Sequence, residues 1–537
     1  MSQTKPALNQ RIIPFGKVPQ LSARDVAYAT ADRRLAPFYK YPVSLAAFEA
    51  VMRDKSKETT NRKVLVEVLQ EQYEGLAPSA ATKNHIQALA QTGTFTVTTA
   101  HQPSLFTGPL YYIYKIASTI NLARQLAAAY PENHFVPVFI LGGEDHDFQE
   151  INHLQLFGNT ISWQQEKGGS VGQLPLHGLQ QALTAVEEVL GGSPKAEELK
   201  GMLHNALSGK SRYIEVARHL THQLFDTYGL VILDPSHPKL KRELAPYIKE
   251  EIFNQPSKAL VEAAVRGLEA AGFSEQAYPR EINFFYLGDG FRERIVEADG
   301  HYVVLNQDIK WGKEALEQEI ERHPERFSPN VVMRPVYQEL ILPNLAYIGG
   351  GGELAYWLER KAQFEHFGIN FPMLVRRNSV LFIDNGTAKR IGKIGLQAED
   401  LFGDIEQLIK DYVKAHTENE LSLSEEKEAL QALFKAVEAK AEDVDPTLVK
   451  AAAAEGARQL NSLAQLEGKL MRAEKQRHDT AINQMRTLKD KLFPGNGLQE
   501  RSDNFMMFYL KYGRGFFEAL IDQLDPFQEG FLVLEDA

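Results

Sequence analysis

TFTVTTAHQPSLFTGPLYYIYKIASTINLARQLAAAYPENHFVPVFIL, residues Thr94 to Leu141, is the stretch on which the fold turns. Thr94 to Thr98 is β-branched and aromatic, which suits a strand. Ala100 to Gly108 is loop-like, and Pro109 then opens the apolar run LYYIYKIASTINLARQLA, a helix with proline at its start. Phe135 to Leu141 is a second β-like run, broken by Gly142 and Gly143. Strand, helix, strand at this spacing requires a crossover and hence parallel pairing. Further β-like runs at Gly229 to Pro235, Phe284 to Leu287 and His301 to Leu305 alternate with helical patterns. The economical expectation is an open α/β sheet, a Rossmann-like parallel core, with ligands beyond the carboxyl ends of its strands.

Outward from this core, residues 1–90 read as helical, with apolar residues at helical spacing in SLAAFEAVM and KVLVEVLQEQY. The core is expected over 91–385, with inserted connecting segments. From 386 to 495 the pattern is that of a helical coiled-coil domain. Leu430, Leu433, Val437 and Ala441 recur at three-four spacing, the turn Asp443 to Pro446 reverses the chain, and Leu463, Leu466, Leu470 and Ala473 continue the seam. A phase break near Arg477 precedes Ala481, Met485, Leu488 and Leu492, so a local irregularity is expected there. The aromatic residues of 496–537 are expected to pack back on the core.

The 537 residues exceed what one core holds, and 44% hydrophobic with 24% charged residues is an ordinary globular composition. A net charge of −11 provides no global field for a nucleic acid. No apolar run reaches the length of a membrane span and the first residues lack a secretory core, so a cytoplasmic location is expected. The chain has no cysteine, which removes disulfides, thiolate nucleophiles and thiolate metal sites together.

Three polar clusters could carry chemistry. In the first, His101, Gln102, Thr107 and Gly108 lie between a strand end and a helix start, where free N–H groups attract phosphate or carboxylate, and Lys115 could reach the same mouth. An ordinary turn with a capping threonine explains the same residues. The second is Glu144, Asp145, His146 and Asp147, placed directly after the strand run and glycine pair. Four ionisable residues there either face solvent or line a polar cleft, as a general base or amine-recognition group. His146 and His153 would share a face on a helix, but no metal site is assigned. The third is SPNVVMRPVYQELILPNLAYIGGGGELAYWLERKAQF, residues 328–364, with Arg334 and Gln338 ahead of Gly349, Gly350 and Gly352, and Glu353, Tyr356 and Trp357 behind them. Its glycine run demands positive φ or close approach, and reads either as a binding wall or as a flexible connection. The SGKS at 208–211 is not a phosphate loop, because the required earlier glycine is His204.

These segments together resemble the bacillithiol biosynthesis cysteine-adding enzymes over nearly the whole chain. The resemblance is carried by HQPSLFTGPLYYIYK, PVFILGGEDHDFQEINH, RPVYQELILPNLAYIGGGGELAYW and the terminal NGLQER with LDPF. It implies a nucleotide-binding α/β core, a coiled coil that pairs two subunits, and a ligase that adds cysteine to glucosaminyl malate in the last step of bacillithiol synthesis. ATP would activate the cysteine carboxylate, with magnesium accompanying the nucleotide. Lys115, Arg334 and the helix start after Gly108 would neutralise phosphate charge, while Glu144, Asp147 or Glu353 would serve as the base. A nucleotidyltransferase, another amide ligase or a non-catalytic nucleotide-binding scaffold would use the same core differently.

Overall fold

The computed structural model describes residues 5–417 and 422–536. The chain forms two compact units, Met1–Phe382 with Gly497–Ala537, and Ile383–Asn496. At the heart of the first lie five strands: β1 (Thr94–His101), β2 (His134–Leu141), β3 (Val231–Leu233), β4 (Asn344–Gly349) and β5 (Met373–Arg376). Their spatial order is β5-β4-β1-β2-β3 and every pairing is parallel. β1 and β2 pair in register from Thr94 opposite His134 to His101 opposite Leu141, so β1 runs three residues beyond the run read from sequence. The chain first builds outward through β2 and β3, then returns to lay β4 on the other side of β1. Strand order reverses between β1 and β4, which is where a parallel sheet opens a crevice.

The crossover helix α1 (Tyr111–Ala129) follows β1 and packs on β1 and β2. Tyr112, Ile113, Tyr114, Ile116, Ala117 and Ile120 are all buried, so the helix is covered nearly all round. Each of the three isoleucines contributes about 1.5–3 kcal/mol of burial. Two short helices complete the crevice side, α2 (Arg334–Ile341) and α3 (Gly351–Trp357).

Two expectations are corrected here. The runs Phe284 to Leu287 and His301 to Leu305 do not join the parallel sheet. They belong to a separate five-stranded antiparallel sheet with Phe291–Ala298, Ile309–Trp311 and Phe327–Pro329. Short connections such as Asp289 and Gly290 between two of these strands allow only hairpin pairing. The first 90 residues are also not helical throughout. Helices Phe48–Lys55 and Arg62–Gln72 form where periodicity is clear, but Leu8–Ile13 is a strand paired antiparallel with Phe531–Asp536.

In the second unit, α4 (Ser424–Val444) and α5 (Val449–Arg477) form a hairpin. Lys427 pairs with Glu467 at 2.6 Å and the Phe434 ring lies over Gly456, so residue numbers rise on one helix as they fall on the other. The facing stripe matches the seam read from sequence only in part: Leu430, Ala441 and Leu463 are half-buried on it, the others are not. Leu433, Val437, Leu466 and Leu470 are 38–58% exposed, while Phe434, which sits against Gly456, is less exposed. The phase break takes the form of a non-helical residue, His478, between α5 and the helix Asp479–Leu492.

Candidate functional site

A cavity of about 510 Å³ runs along the carboxyl ends of the parallel strands, centred on the reversal between β1 and β4. His101 stands at the end of β1. Its Nδ1 lies 3.0 Å from the Gln102 carbonyl oxygen and its Nε2 3.1 Å from the Tyr111 hydroxyl. A neutral ring with its proton on Nδ1 satisfies both contacts, with the tyrosine donating. Burial, aided by the Lys115 charge, pushes the imidazole down to about 4. The Gln102 amide donates to Asp145 at 2.7 Å and to Glu150 at 3.1 Å, tying the first polar cluster to the second.

Lys115 projects from α1 to the crevice floor, where its ammonium donates to the Ala100 carbonyl at 2.8 Å and meets Glu353 at 2.6 Å. Glu353, on the first turn of α3, also accepts from the Tyr347 hydroxyl at 2.8 Å and the Gly350 N–H at 2.9 Å. Burial works against its charge, but Lys115 and the Gly350 N–H outweigh it and hold the carboxyl at about 2. Burial depresses the Lys115 ammonium, with Glu353 opposing that effect. Arg334 donates to the Tyr356 hydroxyl at 2.6 Å and to Gln338 at 3.2 Å.

On the β2 side, Glu144 pairs at 2.7 Å with Lys241, which is fully buried and also donates to the Phe327 carbonyl. Burial lowers the Lys241 ammonium and Glu144 partly restores it. Asp145 faces Arg292 at 3.6 Å. Burial would raise its carboxyl, yet His146, Arg292 and Gln102 together hold it well below the usual range.

The cavity wall therefore includes His101, Gln102, Lys115, Glu144, Asp145, Arg334, Gln338, Gly350, Gly352, Glu353 and Tyr356. Thr107, Gly108, His146, Asp147, Gly349 and Trp357 lie off it. Each has a structural occupation, Gly349 in the β4–β5 pairing opposite Arg376. Gly108 takes φ +61° against the Ser104 side chain, and Thr107 is buried in the same turn. Asp147 accepts from the Glu150 N–H as a helix cap, and His146 meets the Arg292 guanidinium at 2.9 Å. Trp357 is fully buried, stacked on Tyr347 and Phe364. No residue of the glycine run has positive φ. At Gly351 the close approach comes from the protein itself, since a Cβ there would sit 2.1 Å from the Asp25 carboxyl carbon. That carboxylate is held in turn by Arg376 at 2.6 Å.

Family models match along both parts of the chain: the bacillithiol biosynthesis BshC N-terminal Rossmann-like domain over residues 14–378, and its C-terminal coiled-coil domain over 380–535. The chain belongs to the BshC family. Among its relatives, proteins named "Putative cysteine ligase BshC" from Christiangramia forsetii and Flavobacterium johnsoniae are each 39% identical, over 94% of this chain and 95% and 96% of theirs. The same-named protein of Flavobacterium psychrophilum is 38% identical over 98% of this chain and 99% of its own.

For this BshC-family chain, sequence reasoning passed over Tyr111, Glu150, Arg292, Tyr347, Arg377 and Arg501, which all line the cavity. Arg377 had a signal, because the pair Arg376 and Arg377 ends a strand-like run where the sheet rule puts ligands. Arg292 had none, being an ordinary strand residue of the antiparallel sheet brought over by the tertiary fold.

Proposed function

We propose that this protein is a ligase that joins L-cysteine through an amide bond to glucosaminyl malate, completing bacillithiol synthesis, with ATP activating the cysteine carboxylate. The observation that carries the reading is the lining of the crevice: Lys115, Arg292, Arg334 and Arg377 interleaved with Glu144, Asp145, Glu150 and Glu353 in one cavity at the strand reversal. Such a wall suits substrates that bring both carboxylate or phosphate and amine groups, and the family relatives' name fits it.

The cationic side fits a polyphosphate. Among the described residues no group of three or more histidines and carboxylates is placed to hold a metal, so magnesium would be ligated by the phosphates of the nucleotide. In the first step a cysteine carboxylate oxygen attacks phosphorus, and pyrophosphate or ADP leaves. In the second, the sugar amine attacks the activated carbon, the carbon–nitrogen bond forms as AMP or phosphate departs, and one amine proton must be taken up. Glu353 is a poor acceptor because three donors already occupy it and its carboxyl is held at about 2. Its role is to position Lys115. Glu144 has one side-chain donor, Lys241, and faces the cavity with lone pairs free, so it takes the role of base. A hairpin with a second exposed apolar stripe supports pairing of two copies through α4 and α5.

The test is mass spectrometry of the product from purified protein with ATP, cysteine and glucosaminyl malate. The expected result is an amide product that vanishes when cysteine is omitted. Nucleotide turnover unaffected by removing cysteine would refute the reading.

A further inference from the structure

The short turn Gln499–Arg501 is stitched to the cavity rim by its own side chains and its neighbours in sequence. Gln499 accepts from the Phe382 N–H and donates to the Phe382 carbonyl, imitating a strand pairing. The Glu500 carboxylate accepts from Arg377 at 2.8 Å, from the Ser379 hydroxyl and from the Val380 N–H, and it is only 1% exposed. Asn504 donates to the carbonyls of Phe106 and Gly108, and the Asp503 carbonyl accepts from the Leu110 N–H. A backbone fixed on both flanks delivers one side chain, Arg501, into the cavity wall, within electrostatic reach of the Tyr111 hydroxyl.

Arg501 differs from the other cations there. Lys115 is held by Glu353, Arg292 by Asp145, Arg377 by Glu500, and Arg334 by Tyr356 and Gln338. The Arg501 guanidinium has no hydrogen-bond or ion-pair partner among the described residues, and the residue is exposed at the mouth. It contributes nothing to packing that would explain such anchoring. Arginine presents a planar fork matched to two oxygens of a carboxylate or phosphate.

We propose that Arg501 is the specificity-determining residue that binds an oxyanion of the substrate remote from the reacting carbon, so that the segment following the helical unit completes the site. This rests on the ligase reading above. The oxyanion is either a carboxylate of the malate part of the acceptor or a phosphate of the nucleotide, and the arms of the test separate them.

The experiment compares the full-length protein with Arg501→Ala and Arg501→Lys. KM is measured for acceptor, nucleotide and cysteine in turn, alongside calorimetric binding of malate and of pyrophosphate, and melting temperature. Expected for Arg501→Ala is a rise in KM of about ten- to a hundredfold for one anionic substrate, with cysteine KM and kcat within about threefold and melting temperature unchanged. The matching probe, malate or pyrophosphate, should lose binding in parallel, and Arg501→Lys should fall between. Unchanged KM values and probe binding in an active Arg501→Ala protein would overturn the assignment. Absence of cysteine-dependent product in the unsubstituted protein would instead overturn the ligase reading, leaving probe binding to decide Arg501 by itself.

Discussion

His101 and Glu353 show how two neighbouring groups are held in single protonation states by opposite means. Burial keeps His101 neutral down to about 4, against about 6.5 in an unfolded chain. Between these values the unfolded chain binds the extra proton, so this contribution to stability is complete above about pH 6.5 and is lost as pH falls toward about 4. Replacing His101 with glutamine should flatten the fall of melting temperature over that window, and parallel curves for the two proteins would dismiss the histidine as its source. For Glu353 the partner matters more than the site. Glu353→Gln leaves the Lys115 ammonium, 3% exposed, without its counter-charge, while Glu353 itself is 27% exposed. The expected cost is therefore about 2–3 kcal/mol, below the about 3–5 typical of fully buried pairs. Adding Lys115→Met should recover much of that stability in denaturant titration without restoring product formation. Glu144→Gln likewise leaves the fully buried Lys241 ammonium without its counter-charge, so it should lower the melting temperature at least as much as Glu353→Gln and, measured on the folded protein, lower the rate about a hundredfold or more. Equal activity in that variant would move the base elsewhere.

Among the elements, the longest signals were the most legible. β1, α1 and β2 followed from a β-branched run, a proline and a glycine pair, because each carries its own local cause. The antiparallel sheet was misplaced because FFYL and HYVVL are short apolar runs whose partners depend on connection length, not on composition. The strand Leu8–Ile13 escaped because LNQRII alternates weakly, and its partner lies at the opposite end of the chain. The α4–α5 hairpin was legible as a hairpin, but its inner stripe only in part, through Leu430, Ala441 and Leu463, since heptad spacing does not say which of two apolar stripes turns inward. The stripe left outside, Leu433, Val437, Leu466 and Leu470, is what a second copy would cover. Leu433→Glu with Leu470→Glu should convert a dimer to a monomer in light scattering without loss of helical circular dichroism. A parent protein that is already monomeric at micromolar concentration would end that proposal.

For the whole molecule, the candidate site draws on segments scattered over most of the chain: the ends of β1 and β2, α1, α2, α3, Arg292 of the antiparallel sheet, Arg377 directly after β5 and the turn at Gln499–Arg501. Sequence disclosed the contributions that sit beside breakers at strand ends, where burying a charge without a partner is costly. It did not disclose that Asp25 fills the space beside Gly351, or that Glu500 answers Arg377, because those partners are 326 and 123 residues apart. A longer tie than either has a consequence for how the protein is made. Asn504 secures the turn at Phe106 across a separation of 398 residues. At a synthesis rate of about 5–20 residues per second, the ribosome needs about 20–80 s to reach it after Phe106 is made. Once β5 (Met373–Arg376) has been made, the parallel sheet can assemble while the loop of residues 102–110 stays unclasped. A nascent chain arrested just after residue 496 should thus show protease-resistant sheet but a cleavable 102–110 loop, and continuing translation by a few tens of residues should close it.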